Sequence, residues 1–313
     1  MGRYVVRRLL LTVPVLIGAS FFIFALVFAL PGDPIAALGG DRALPVSLQA
    51  QLRDRYNLDD PLVVQYVKYV GGLLQGDFGE TIVGRRQVLD IIQERLPVTV
   101  RLALTALAIE AVLGILAGLL AGLRRGSYLD SLVLVSTTVI VSIPVFVLGF
   151  LAQIVFGLGR PFEVLGVFPI AGVREGWLSY VLPGLVLAGL SLGYVARLTR
   201  TSVAENLRND YVRTARAKGL PPHVVVGKHT LRNSLLPVVT YLGVDVGTLM
   251  SGAIVTETVF NLPGLGRAAY QGILDQDGAL VVGIVTFLIL VYILSNLLVD
   301  LLCAALDPRI RYE

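Results

Sequence analysis

Two carboxylates, Glu110 and Asp245, lie near the middle of long apolar runs, 98 to 123 and 236 to 256. An ionised side chain at the centre of a bilayer costs ~2.5 to 3.5 kcal/mol on insertion scales, so such an acid must be protonated, hydrogen-bonded or turned toward water. Two kinds of chemistry follow. On the wall of a wet pathway the acids would attract cationic cargo, or relay protons in a gradient-driven carrier. Set against a neighbouring helix, they would brace it through Ser, Thr or backbone groups. Arg101 and Asp300 stand nearer the ends of their runs, where snorkelling or capping accounts for them.

A second concentration of chemistry is the stretch NDYVRTARAKGLPPHVVVGKHTLRNSLLPVV, Asn209 to Val239. From Arg197 to Arg232 the chain carries eight basic residues against Glu205 and Asp210. Both histidines of the chain, His223 and His229, fall here. Two such residues read as ordinary loop histidines and leave no His-rich metal site. Gly227 and Lys228 resemble the end of a phosphate loop, but Pro222 stands where its first glycine belongs and His229 where a hydroxyl must hold magnesium. ATP chemistry through that motif is excluded. No G-x-S-x-G elbow or H-E-x-x-H pair supports an intramembrane hydrolase, and the single cysteine, Cys303, builds no disulfide framework.

The elements that position these groups are membrane spans. Hydrophobic residues make up 55% of the 313 and charged residues 15%, with a mean hydropathy of +0.78. Apolar runs at about 9 to 30, 98 to 123, 131 to 157, 179 to 199, 236 to 256 and 281 to 303 are each long enough to cross ~30 Å of hydrocarbon. The expectation is an all-α, polytopic protein of six transmembrane helices. Basic residues decide its orientation. Arg3, Arg7 and Arg8, Arg124 and Arg125, the eight of the basic stretch, and Arg309 and Arg311 fall on one side. The two shorter loops of the other side hold Arg160, Arg174 and Arg267. Both termini are therefore expected in the cytoplasm.

Residues 31 to 97 form a long outer loop. Asp60 is expected to cap a helix with Pro61 at its first position and an apolar face of Val63, Tyr66, Val67 and Val70, ended by GDFGE. A further short helix, VLDIIQERLP, leads to the second span. The loop reads as a small helical cap, either a solvated cover or a docking surface. The division is thus 1 to 97, first span and cap, and 98 to 313, a five-helix core. Within the core, Gly114 and Gly118 make a G-x-x-x-G pair suited to close helix packing.

In the basic stretch, Gly219 stands at a helix end and Pro222 at a helix start, giving a helix-turn-helix elbow at about 200 to 235. The prolines interrupt the continuous amphipathic stripe a lipid surface would want. Nucleic acid finds no recognisable motif and one aromatic, Tyr211. A shaped protrusion suits a protein partner. Here the chain resembles the membrane-spanning subunits of type I ATP-binding-cassette importers, closest to the first permease of the dipeptide, oligopeptide and nickel importers. That family's signature is Glu-Ala-Ala, three residues, Gly, nine residues, Ile, one residue, Leu-Pro. Ala215, Gly219 and Leu231 match it, while Arg213, Thr214, His229 and Arg232 depart in the manner of the peptide-importer branch, with its YVRTARAKG and LRNSLLPV. PGDP after the first span, YNLDDPLVVQYVKYVGGLLQGDFGE, ETVFNLPGLG and LLVDLLCAALDPRIRY extend the resemblance over nearly the whole chain.

The resemblance implies a permease subunit in the cytoplasmic membrane of a bacterium or archaeon, moving di- or oligopeptides or related small cargo. Its implied partners are a second homologous permease, two cytoplasmic ATPases and an extracytoplasmic substrate-binding protein, within a lipid bilayer and without nucleic acid. It implies no enzyme and no cofactor in this chain, ATP and magnesium being held by the ATPases. Ala215, Arg216, Ala217, Lys218, Gly219, Leu220 and Leu231 would couple to an ATPase groove. Glu110, Asp245 and Glu257 are the candidates for the translocation pathway, where they would attract the amino end of a peptide. The alternative is a gradient-driven secondary transporter that uses Glu110 or Asp245 as a proton relay; no half-to-half repeat speaks for it.

Overall fold

The computed structural model describes residues 2–28, 45–55, 59–82, 84–157, 168–173 and 176–306. The apolar runs are helices: α1 (Gly2–Phe28), α4 (Val88–Leu123), α5 (Tyr128–Ser142), α6 (Val145–Ala152), α7 (Val181–Asn206), α9 (Arg232–Val259) and α11 (Gly278–Leu306). Two cap helices, α2 (Val46–Arg55) and α3 (Leu62–Leu73), lie between α1 and α4. α8 (Asp210–Ala217) forms the elbow, and α10 (Leu265–Leu274) joins α9 to α11. Among the described residues the one β feature is an isolated antiparallel bridge, Glu80 to Gln87.

Among the described residues five helices are long and apolar enough to span on their own, and counting one bent pair of helices as a span gives up to six. The run 131 to 157, expected as one span, is α5 and α6 meeting at 104°. Pro144 causes the break. It forces the preceding Ile143 into extended backbone (φ −85°, ψ 127°) and cannot itself donate to the helix before it. By contrast α4 runs unbroken through Pro97, so the short helix expected at VLDIIQERLP and the second span are one element of 36 residues.

The cap differs from expectation in its face. Val63 and Val67 are 62% and 63% exposed, and the buried side is Leu62, Tyr66, Tyr69 and Val70 against Phe24 and Val282. The stripe is the one that begins at residue 62, one position earlier than assumed. Asp60 makes no side-chain cap; its carboxylate accepts from Lys68 Nζ at 2.6 Å and its carbonyl from Gln65 at 2.8 Å. Tyr66 pins the cap to α1, donating to the Ile17 carbonyl (2.9 Å) and meeting the Ser20 hydroxyl (2.8 Å).

Two glycine seams organise the core. Glu110, Gly114, Gly118 and Gly122 recur every four residues on one face of α4, and that face lies directly on α7. A Cβ at Gly114 would come 2.7 Å from Val195 Cγ1. One at Gly118 would come 2.5 Å from Thr199 Cβ, and one at Gly122 2.9 Å from the Arg200 carbonyl. The helices run parallel, backbone nearly touching backbone. Gly243 and Gly247 do the same for α9, seating Val299 and Tyr292 of α11 at 2.8 Å. At the elbow end of the first seam, Arg200 makes a two-pronged ion pair with Asp130, Nη2 to Oδ2 at 2.7 Å, tying α7 to the start of α5. Arg8 pairs with Asp300 at 3.1 Å and joins α1 to α11, so the position read as a snorkelling or capping acid holds two spans together.

A side chain at a seam glycine has nowhere to go. Gly118→Val is expected to lower the yield of monodisperse protein several-fold and its thermal midpoint with it, because overpacking costs ~1 to 3 kcal/mol even where neighbours can shift. Gly71→Ala, with nothing within 4 Å of the added methyl, is the matched control and should leave both unchanged. Size-exclusion profiles after a heating series make the comparison.

Candidate functional site

The elbow is built by local chemistry. α8 carries Asp210 in its first turn and Arg216 in its last, each complementing the helix dipole. Its end is a complete Schellman motif: the Leu220 N–H donates to the Ala215 carbonyl (3.3 Å) and the Gly219 N–H to the Arg216 carbonyl (3.0 Å). Gly219 has φ +76°, the left-handed geometry expected for it. Pro222 starts the returning helix at its first position, as its fixed φ favours. The return is a π-helical stretch, Val225–Leu231, in which Thr230 Oγ1 donates to the Val225 carbonyl five residues back (3.1 Å). This stretch runs directly into α9.

Val212, Ala215 and Val225 form a small core of the elbow's own, with Leu207 against it. Ala215, expected on the coupling face, is therefore inside, where it holds α8 to the π stretch. Arg216, Ala217, Lys218, Gly219 and Leu220 are exposed together around the turn, while Leu231 is half-buried at the root of α9. The elbow thus presents two cations and an apolar tip on a rigid corner. His223 is exposed and His229 half-buried.

The two mid-membrane acids meet. Glu110 on α4 and Asp245 on α9, 135 residues apart in sequence, interact through their carboxyl groups. They are 0% and 3% exposed, so neither forms a surface of this chain. No hydroxyl, amide or cation satisfies either Glu110 oxygen, and Asp245 Oδ2 is likewise unpaired. Tyr241, one helical turn before Asp245, faces both acids and bonds to Ser191 of α7. Its ring stacks on Tyr194 with centroids 4.3 Å apart at 32°. Ser191 lies level with Glu110 across the seam by the same register that sets Val195 on Gly114. Sequence reasoning missed Ser191, Tyr194 and Tyr241; the available signal was tyrosine in mid-span, away from the interfaces such residues favour.

Glu257 stands apart from these two acids. Expected on the pathway wall, it is wholly buried, with Oε1 accepting from Thr99 Oγ1 (2.6 Å) and Oε2 from the Arg267 N–H (3.0 Å). Thr99 in turn accepts from the Leu265 N–H (2.9 Å). The carboxylate caps the start of α10 and locks it to α4 and α9, a favourable place for negative charge. Gly264 is required because any Cβ there would fall on this carboxylate. The segment ETVFNLPGLG is the sequence of that lock.

Comparison with known proteins matches residues 114–312 to the family described as binding-protein-dependent transport system inner membrane component, and residues 1–103 to the N-terminal part of such membrane components. The chain is similar to the di/tripeptide transport system permease protein DppB of Pseudomonas aeruginosa (strain UCBPP-PA14), 36% identical over 99% of both chains. To the glutathione transport system permease protein GsiC of Escherichia coli (strain K12) it is 39% identical over the full length of each. In fold it is similar to a solved structure of the MetNI methionine ABC transporter in an inward-facing conformation, with a TM-score of 0.55 and 18% identity. That match covers 69% of this chain and 96% of the other.

If Glu257 is a brace, its removal costs stability. Glu257→Ala strands the Arg267 N–H and Thr99 in a buried site and is expected to destabilise the bundle by on the order of 3 kcal/mol. Glu257→Gln, which keeps the shape and one acceptor, should fall between the two. The thermal midpoint in detergent, read for both variants beside the wild type, checks the order.

Proposed function

The chain belongs to the family of binding-protein-dependent transport system inner membrane components, and on that premise we propose that it is one of two homologous permeases whose shared pathway carries short peptides into the cell. It is a multi-pass permease subunit of an ABC importer. The relatives named above are permeases of di/tripeptide and glutathione systems, which supports short peptides as the cargo class. The further partners in this reading are two ATPases, holding ATP and magnesium, and a substrate-binding protein that delivers cargo to the cap side. The membrane is the cytoplasmic membrane of a bacterium or archaeon, with the elbow and both termini inside.

One observation carries the reading: the exposed corner of Arg216, Ala217, Lys218, Gly219 and Leu220 on a helix-turn-helix with its own packed core. A flexible basic loop would bind a surface loosely. A corner fixed by a Schellman turn and continuous with α9 can transmit a push from a docked ATPase into the bundle. Its basic residues, with those of the same side, also set the elbow on the cytoplasmic face.

Gly219→Val tests this, since a β-branched residue resists positive φ. Peptide-stimulated ATP hydrolysis by the assembled complex is expected to drop at least ~10-fold while the permease still inserts, a loss of ~1.4 kcal/mol or more in coupling. Wild-type stimulation in that variant would remove the elbow from its role. For orientation, cysteines placed singly at Gly84 and Asn209, with Cys303 replaced, should react with an impermeant thiol reagent from opposite sides of the membrane.

A further inference from the structure

Tyr194 is half exposed, at 49%, and with its stacking partner Tyr241 lies one helical turn to the elbow side of the mid-span acids, still inside the apolar runs 179 to 199 and 236 to 256. Tyrosine belongs at membrane interfaces, where its hydroxyl meets water, and a stacked tyrosine face opening within the apolar runs and backed by two acids points to something other than acyl chains. The exposed side of α9 is mixed, with Thr240, Thr248 and Ser251 among Leu236, Val239 and Val255. Behind the rings lie Glu110 and Asp245, enclosed, without a cation among their partners, and with both Glu110 oxygens unsatisfied. Two carboxyl groups side by side make the site behind the rings rich in oxygen acceptors, with no positive group among its partners.

We propose that the Tyr194–Tyr241 face, with the Glu110–Asp245 pair behind it, is a subsite for the ammonium group of the cargo. This deepens the reading of the chain as one wall of a peptide pathway and rests on it. A cation on the face of a tyrosine ring is held by the ring quadrupole, and desolvation strengthens the contact. The acids add a field that never touches the cargo, so the ammonium is attracted without being trapped in an ion pair. That balance suits a passage, where cargo must leave as readily as it arrives. Tyr194 supplies the contact surface. Tyr241, held by Ser191, keeps the ring stack facing outward and connects it to the acids.

The test places a cysteine at Tyr194 in a Cys303→Ala background and measures its reaction, in nanodiscs holding the full complex, with two thiol reagents. One is a trimethylammonium-bearing and the other a sulfonate-bearing methanethiosulfonate, each normalised to its rate with free 2-mercaptoethanol. The cationic reagent is expected to be favoured about tenfold or more, and the preference should collapse toward unity in Glu110→Gln/Asp245→Asn. No labelling by either reagent, or a normalised ratio near one in the otherwise native background, overturns the subsite without reliance on the double variant. A second arm measures peptide uptake. Tyr194→Phe should keep the wild-type KM within about twofold and Tyr194→Ala should raise it at least about fivefold, whereas equal KM values in all three contradict the proposal. Should the wild-type complex move no short peptide at all while the charge preference stands, the peptide reading fails and a cation subsite for other cargo is what survives.

Discussion

The backbone-to-backbone contact of α4 and α7 determines where both functional regions stand. Lipid tails are as apolar as Leu, so helices in a bilayer gain little from hiding apolar surface on one another and associate through packing and hydrogen bonds. Three glycines at four-residue spacing let α7 approach α4 until Val195, Thr199 and Arg200 fill the space side chains would occupy. Glu110 lies one turn beyond the glycines on the same stripe and is thereby enclosed beside Ser191. At the opposite end of the seam, Arg200 is delivered to Asp130 just before α7 leads into the elbow. One parallel seam thus has the acid cluster one turn before its glycines and the elbow beyond them.

Around this joint the remaining contacts are polar locks between elements that glycine alone would leave free to slide. Asp130 holds Arg200 and also accepts from the Gly126 N–H (2.8 Å), so the α4–α5 turn is fixed to α7. Glu257 caps α10 and reaches Thr99 on α4. On the other flank Gly243 and Gly247 press α9 against α11, and Asp245 between them is left facing α4. Seams of this kind are close-packed and resist small displacements. α4 and α7 thus form one close-packed unit, and the breaks in the helical framework are the Pro144 bend and the π stretch before α9.

The sequence makes the elbow legible because its determinants are local. A glycine at positive φ and a proline at a helix start announce themselves without knowledge of the rest of the chain, and both stand where they were expected. Five of the expected spans follow equally from run length. What fails is finer or longer in range. Pro144 was hidden inside an otherwise continuous apolar run, and Val63 and Val67 were put on the wrong side of α3 because a valine-rich helix offers two stripes of similar hydrophobicity. Glu110 and Asp245 could be singled out one at a time, but their meeting depends on two glycine seams fixing the rotation of α4 and α9. Glu257 is a pathway candidate in the sequence, and its partners, Thr99 and the Arg267 N–H, are supplied by folding. Ala215 matches the family signature and turns out to be inside the elbow, which is the packing reason for a small residue there.

The central claim is that α4 and α7 are a fixed joint and not a moving interface. Thr105 and Gly184 face one another across it, with a Cβ at Gly184 lying 3.3 Å from Thr105 Cβ, close to the ~3.8 Å of a disulfide. Cysteines at both positions, in a chain lacking Cys303, should form a bridge on oxidation. ATP-driven uptake by the reconstituted complex, measured oxidised and then reduced, decides the matter. The fixed joint predicts equal uptake in both states. Uptake abolished by the bridge and restored by reduction would show that the two helices must part during transport.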